Sequence, residues 1–251
     1  MTFTTSLRLV AGAVALLTLG ACASTDPGEG FAAMDPYENT NRVFHDFNVG
    51  ADRYVLRPAA KGYDAAVPDT AQLLIGNGIS HLDLPVDLAN YVLQGEVQAA
   101  LRVLGRFTLN TTLGAGGLLD PATEFGLPRE ETDFGITLGK WGVASGPYLV
   151  LPLLGPSSPR DAAGFAVDIA FSPTTYTGFA DSSVLNAFSL PLAVVERVDD
   201  RARNADLIDE VLYESPDSYV TLRSIYLQRR QAAILGEEGG EALPDIFDEE
   251  P

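Results

Sequence analysis

Apolar positions recur at helical spacing through most of the chain. The first clear run follows Asp35-Pro36. Asp35 suits an N-cap, Pro36 a first helical position, and Glu38 would complete a capping box. Tyr37, Phe44, Phe47, Ala51, Tyr54 and Val55 then share one face, which predicts an amphipathic helix that ends at or before Pro58. From Pro68 to Thr112 the period continues, with breaks expected at Gly76–Gly78, Pro85 and Gly95. Val97 to Leu109 is apolar on most faces, with Arg102 and Arg106 as the exceptions. Gly114-Ala115-Gly116-Gly117 opens a loop to Asp120-Pro121 and suits close backbone approach between helices. A Gly-rich stretch from Phe134 to Pro156 holds one short extended piece, Tyr148-Leu149-Val150-Leu151. Ser158-Pro159-Arg160-Asp161 reads as a second capping box, opening a helix to Phe171. In that helix only Asp161, Gly164 and Asp168 are not apolar, and they form one stripe; such a helix faces either a core or lipid. Further helices are predicted from about Pro191 to Leu212, and from a Ser215-Pro216 cap to Ile234. No internal repeat is present. The pattern describes an all-α domain with one short extended or hairpin piece.

The two ends differ from this body. Arg8 precedes an apolar run from Leu9 to Leu19. Eleven helical residues span about 16 Å, too short for a hydrocarbon core of about 30 Å, so residues 1–21 read as a signal peptide. Leu19-Gly20-Ala21-Cys22 resembles the bacterial lipobox, which implies cleavage before Cys22 and its acylation on sulfur and on the new amino group. The alternative is an ordinary signal peptide followed by a free thiol. Ala23, rather than Asp, after that Cys resembles outer-membrane sorting. Residues 22–34 then form a lipidated tether. The last sixteen, 236–251, carry seven acids and no base, the pattern of a disordered acidic tail. No later stretch reaches 18 uninterrupted apolar residues.

Composition narrows the function. The 251 residues carry 34 acidic and 16 basic side chains, a net charge of −18, yet 46% are hydrophobic. That charge excludes nucleic acid as a partner. One Cys excludes an intrachain disulfide framework and a Cys-rich zinc site. With 24 Gly and 16 Pro, frequent helix interruption is expected. Charge and apolarity are partly segregated, since residues 22–235 hold 15 bases and 27 acids and the tail holds the rest of the acids.

Catalytic patterns are mostly missing from the sequence; paired carboxylates among the 34 acids stay open, but nothing singles out a pair. Gly155-Pro156-Ser157-Ser158-Pro159 fails the last position of a nucleophile elbow. His45 and His81 are the only imidazoles and form no paired zinc motif, so both are expected at the surface or at helix caps. The Gly114–Gly117 cluster lacks the spacing of a dinucleotide loop. The expectation is a protein that is not an enzyme and has no cofactor or metal. The feature left over is Phe134–Pro156, where glycine and proline surround large apolar residues. It reads either as a loop-rich core closure or as an irregular surface against lipid. Phe134, Trp141, Tyr148, Leu149 and Leu151 are its candidate lipid-path or membrane-contact residues.

At these residues the chain resembles the MlaA/VacJ family of outer-membrane phospholipid-transport lipoproteins. The likeness begins with Asp35-Pro36-Tyr37-Glu38-Asn39-Thr40-Asn41-Arg42 and Tyr54-Val55-Leu56-Arg57-Pro58. It continues through Arg106-Phe107-Thr108-Leu109-Asn110-Thr111 and Gly114 to Asp120. Its strongest block runs from Asp133-Phe134-Gly135 and Leu138-Gly139-Lys140-Trp141-Gly142-Val143 to Gly146-Pro147-Tyr148-Leu149-Val150-Leu151-Pro152. Gly155 to Asp161 and Tyr226-Leu227-Gln228-Arg229-Arg230 complete it, so residues 35–235 read as one domain. One departure stands out. Where the family has Asn-Phe and then Asn-Leu, this chain has Asn77-Gly78 and His81-Leu82, which changes local packing or lipid contact.

The resemblance implies a ring-like helical domain, partly embedded in the inner leaflet of the outer membrane on its periplasmic face. An amphipathic channel would take mislocalised phospholipids from the outer leaflet to a periplasmic phospholipid carrier protein, and so maintain lipid asymmetry. It also implies association with a trimeric porin, no covalent chemistry and no cofactor. Two other readings are a structural lipoprotein that only scaffolds porins and a periplasmic lipid hydrolase.

Overall fold

The computed structural model describes residues 35–172 and 186–236, with the side chains of 186–191 left aside. The signal peptide, Cys22, the tether and the tail beyond Gly236 lie outside the described residues. The chain is helical for most of its described length. Helix α1 (Glu38–Ala51) passes through a π turn (Asp52–Leu56) into α2 (Arg57–Ala66). Then come α3 (Asp69–Gln94), α4 (Val97–Thr112), a single turn α5 (Pro121–Glu124) and α6 (Phe134–Lys140). Strands β1 (Leu149–Leu151) and β2 (Gly155–Ser157) form an antiparallel hairpin that pairs Val150 with Pro156. Helices α7 (Pro159–Phe171), α8 (Asn186–Arg203) and α9 (Ala205–Asp209) follow; a second π turn (Glu210–Glu214) precedes α10 (Ser218–Leu235).

The breakers interrupt less than expected. Pro58 does not end its helix. The π turn widens the backbone ahead of it, and Pro58 sits in the first turn of α2, where a missing N–H costs little. Gly76–Gly78 and Pro85 lie inside an unbroken 26-residue α3, which stops only at Gly95. An interior proline costs about 3 kcal/mol. Packing of Leu84, Leu88 and Tyr91 against Ala99, Ala100 and Val103 of α4 offsets that cost. The helix predicted from Pro191 to Leu212 starts at Asn186 and turns at Asn204 instead.

Caps follow the same mixed pattern. Ser158 caps α7 as its sequence predicts, its hydroxyl accepting from the Asp161 N–H at 3.1 Å. Asp217, not Ser215, caps α10, accepting from the N–H groups of Tyr219 and Val220. Asp35 caps nothing. Its buried carboxylate accepts from Asn41 Nδ2 at 2.9 Å, from Arg223 at 2.9 Å and from the Tyr219 hydroxyl, so tertiary partners have displaced the local one.

The main departure concerns which side of each helix points inward. On α1 the apolar stripe faces out: Tyr37 is 52% exposed, Phe47 54% and Tyr54 78%. The buried side of this segment is polar, with Asn41, His45 and Asp52. Asn41 and Asn48, two turns apart, hold the hairpin along this inner side. Asn41 accepts from Val150 N–H and donates to Tyr148 O, both at 2.9 Å; Asn48 donates to Leu151 O and accepts from Leu153 N–H. In α7, Phe165, Ile169 and Phe171 are exposed while Asp161 and Gly164 are buried. Leu101, Leu104 and Phe107 of α4 are exposed, and Arg106 and Asn110 are buried. Among the described residues, exposed large hydrophobics outnumber buried ones. An outer surface this apolar is unusual for a chain surrounded by water.

The interior is tied together by ion pairs. Arg201 of α8 binds Asp52 through two hydrogen bonds, at 2.8 and 3.1 Å, and also binds Asp209. Tyr213 donates to the same Asp52 at 2.6 Å. Arg106 binds Asp120 at 2.8 Å, closing the glycine loop onto α4. Both histidines, expected at the surface or at caps, are buried. His45 pairs with Ser218 Oγ at 2.7 Å beside Tyr219. His81 stacks on Phe107 with centroids 4.9 Å apart and meets Thr111. Burial lowers the pKa of both rings. Gly117, at φ 96°, leaves room for His81, since a Cβ there would strike the imidazole. Gly78 is filled from the same loop: Leu118 Cδ2 stands 3.4 Å from where its Cβ would be, and Asn77 donates to Leu118 O. The loop supplies the packing that the departing positions 78 and 81 require.

Helices α6 and α7 meet backbone to backbone. A Cβ on Gly164 would lie 2.7 Å from Gly135 Cα, so the two helices cannot cross there with a larger residue. Gly164→Ala is expected to destabilise the protein by about 1–3 kcal/mol. Gly62→Ala, with nothing within 4 Å, is expected to be neutral or slightly stabilising. Thermal unfolding of the two variants checks this; equal melting temperatures would show that the crossing is not tight.

Candidate functional site

The helices form an open cavity of about 870 Å³. Its walls come from α3, residues 129–133, α6, α7, α8 and α10. Ile79, Leu82 and Val86 reach it from α3 because residues three and four apart share a face. Phe165 and Ile169 of α7 and Leu222 and Ile225 of α10 add to the apolar part. The polar part begins on the same helices, where Asp83 and Asp87 follow Leu82 and Val86, and Glu196 projects from α8. A smaller, almost wholly polar cavity of about 230 Å³ adjoins it and shares Asp83, Arg129, Glu131 and Glu196. The space is amphipathic.

Three groups of contacts fix its polar lining. Arg230 reaches from α10 to Asp133 and to Asp161, at 2.8 Å from the latter, so α6, α7 and α10 are held at one point. Burial alone would raise Asp161, but the hydrogen bonds from Arg230 and Tyr226 outweigh it and hold its carboxyl below the usual carboxylate range. Asp168 accepts from Phe134 N–H and from Asn90 Nδ2, both at 2.9 Å, which ties α7 to α6 and α3. Arg129 lies 3.6 Å from Asp83 and 3.1 Å from Glu131. Asp87 accepts from Thr132 N–H at 3.1 Å through Oδ1, while its buried Oδ2 has no partner among the described residues.

These acids are short of cations. Burial, then repulsion from Glu196, pushes Asp83 up to about 6. Burial, then repulsion from Asp83, pushes Asp87 up to about 7 despite the hydrogen bond from Thr132. Glu196 and Asp168 are also raised, chiefly by burial. Such a set marks a place where charge is held at a cost.

The residues singled out in the sequence lie elsewhere. None of Phe134, Trp141, Tyr148, Leu149 and Leu151 is among the residues lining the cavity, although their neighbours Asp133, Ile136 and Pro156 are. Trp141 is 53% exposed, donates to Leu93 O and meets Phe134 edge-on. Tyr148 is buried with Val150, Tyr219 and Tyr226. Leu149 and Leu151 are half-buried on β1. The acids Asp83, Asp87 and Glu196 escaped notice because nothing in a chain with 34 acids singles them out. The available signal was Asp83 and Asp87, four apart, beside Leu82 and Val86 on an otherwise apolar stretch. Among the described residues no group of three His, Cys, Asp or Glu is placed to hold a metal ion. No described helix is long and apolar enough to cross a membrane.

A family model for the MlaA lipoprotein matches residues 33–233. The chain belongs to the MlaA family. Its relatives include the intermembrane phospholipid transport system lipoprotein MlaA of Escherichia coli K12, 34% identical over 95% of this chain and 92% of the relative. The protein of the same name from Haemophilus influenzae is 33% identical over 96% of each chain. An uncharacterised protein of Rickettsia felis is 37% identical over 80% of this chain and 78% of its own. Among solved structures, one from work on the structural basis for maintenance of bacterial outer membrane lipid asymmetry matches with a TM-score of 0.70. It is 36% identical and covers 80% of this chain and 98% of its own. The mostly helical MlaA architecture with one small hairpin agrees with the all-α reading of the sequence.

The raised acids set a pH dependence. With folded-state values near 6 and 7, Asp83 and Asp87 bind more protons folded than unfolded. Their contribution is therefore complete below about pH 4 and is lost as pH rises through 6 and 7. Asp87→Asn keeps an acceptor for Thr132 and removes the buried charge. It is expected to raise stability relative to the parent at pH 8 and to leave it little changed at pH 5. Chemical denaturation at the two pH values checks this; an equal effect at both would contradict the titration.

Proposed function

We propose that this chain is an outer-membrane lipoprotein that carries phospholipids between the membrane and a periplasmic carrier, with the amphipathic cavity as the passage. The observation that carries the reading is an amphipathic cavity inside a domain that turns many apolar side chains outward. Apolar residues of α1 and α4, such as Phe47 and Leu101, point outward, where acyl chains would cover them, and the polar stripes of those helices point inward. An acyl chain exposed to water costs about 0.8 kcal/mol per methylene, so transfer needs a passage with an apolar side. A headgroup needs a polar side in the same space, and α3 supplies both from adjacent residues. The names of the Escherichia coli and Haemophilus influenzae relatives, and the subject of the matching structure, support the same assignment.

In this reading Cys22 is acylated and anchors the protein to the inner leaflet, two or more chains being enough for stable attachment. Residues 22–34 tether the domain, 35–235 form it, and 236–251 are an acidic tail in the periplasm. In this reading exposed Trp141, with Phe134 edge-on against it, contacts lipid. Flow is from the outer leaflet inward, which removes mislocalised phospholipid and needs no bond-breaking chemistry. A trimeric porin is the expected neighbour in the membrane.

Deleting the gene is expected to leave phospholipid in the outer leaflet, measured by a headgroup reagent that cannot cross the membrane. Restoring the intact gene should reverse this, whereas Cys22→Ala should not. Normal outer-leaflet composition in the deletion strain would overturn the transport reading.

A further inference from the structure

The charge of the cavity is concentrated. Asp83, Asp87, Glu131 and Glu196 line it together, and Arg129 is the cation placed among them. The other lining cations, Arg229 and Arg230, lie on α10, and Arg230 is already bound to Asp133 and Asp161. Beside this wall Arg203 is paired with Asp199 and Arg197 acts on Glu196, so the shortage of cations is greatest at Asp83 and Asp87. A passage with this lining does not treat all headgroups alike.

The second observation is at Asp87. It is 4% exposed, lies in the cavity wall and leaves Oδ2 without a donor. A buried carboxylate oxygen with no partner is costly, and a donor brought to it recovers that cost. An ammonium group carries three donors and no acceptor, so it can serve several carboxylates at once. A hydroxyl headgroup brings fewer donors and no charge.

We propose that this wall is a headgroup site selecting phospholipids with a primary ammonium, which sits among Asp83, Asp87 and Glu196 while Arg129 faces the phosphate. The proposal rests on the reading of the cavity as a lipid passage and adds the class of lipid it takes. Zwitterionic amino-phospholipids satisfy both charges of the wall. An anionic phospholipid without an ammonium brings only its phosphate, which Arg129 meets and four carboxylates oppose. The elevated values of Asp83 and Asp87 agree with this, because Arg129 alone does not offset burial and the repulsion of neighbouring acids, and such a headgroup supplies a further cation.

Native mass spectrometry of the full lipidated protein tests this directly. The protein, purified in a non-ionic detergent, is offered equal amounts of phosphatidylethanolamine and phosphatidylglycerol with the same acyl chains. The expected result is about a tenfold excess of bound phosphatidylethanolamine. The combined substitution Asp83→Asn and Glu196→Gln is expected to bring the ratio near one while phosphatidylglycerol binding persists. Asp83→Asn alone, at a half-exposed side chain, serves where the double variant does not fold and should give an intermediate ratio. Equal binding of the two lipids by the parent, or a ratio that the substitutions leave unchanged, would overturn the headgroup site and leave the passage standing. Binding of neither lipid would overturn the passage itself, and the headgroup site with it.

Discussion

Buried pairing between arginine and carboxylate is the interaction on which this structure depends. Asp35 with Arg223, Asp52 with Arg201, Asp161 with Arg230 and Arg106 with Asp120 join helices far apart in the chain. Two small apolar clusters accompany them, one between α3 and α4 and one around Tyr148 and Tyr219. A buried pair adds little net stability over an apolar one, but losing one partner is severe, at about 3–5 kcal/mol. Such pairs therefore fix arrangement more than they add stability. That suits helices whose apolar faces point outward, because in lipid those faces have no preference for one another.

The same pairs make the cavity possible. A domain closed by apolar packing would collapse on an internal space of this size, since side chains fill voids when they can. Here the wall positions are pinned by directional contacts. Arg230 spans α6, α7 and α10, Asp168 spans α3, α6 and α7, and the Gly135–Gly164 crossing brings two of these backbones together. Apolar residues between those points, such as Val86, Ile169 and Ile225, are left facing an open space.

Periodicity made the longer helices legible, and the extended piece and the Ser158 cap with them, while α6 was hidden in the Gly-rich stretch. What periodicity could not supply was direction. Tyr37, Phe44 and Phe47 define a stripe whether that stripe meets a core or a bilayer, and the spacing is the same in both cases. Asp35 reads as a cap by its neighbours but is claimed by Tyr219 and Arg223, nearly two hundred positions away. Pro58 and Pro85 read as breaks because local cost is visible in a sequence while the compensating π turn and the α3–α4 packing are not. The densest motif block of the family likeness marks the hairpin and the α6–α7 crossing that support the cavity. The cavity acids sit in α3 and α8, where one carboxylate among many carries no local mark.

The inversion also accounts for a composition that is both acidic and apolar. In a water-soluble domain these two tendencies compete for opposite places, with charge outside and hydrocarbon inside. Here the described helices exchange the two. Carboxylates such as Asp35, Asp52, Asp161 and Asp199 are inside and neutralised by arginines, while Phe47, Leu101 and Leu104 are outside. Each buried acid so matched costs little. Asp83, Asp87 and Glu196 break the rule, their carboxyls raised by burial and by neighbouring acids despite Arg129 beside Asp83 and Arg197 near Glu196. A fold that satisfies its other buried carboxylates so consistently has the means to satisfy these. That it leaves them under-matched on the wall of this cavity is the kind of local inconsistency that function, not folding, explains.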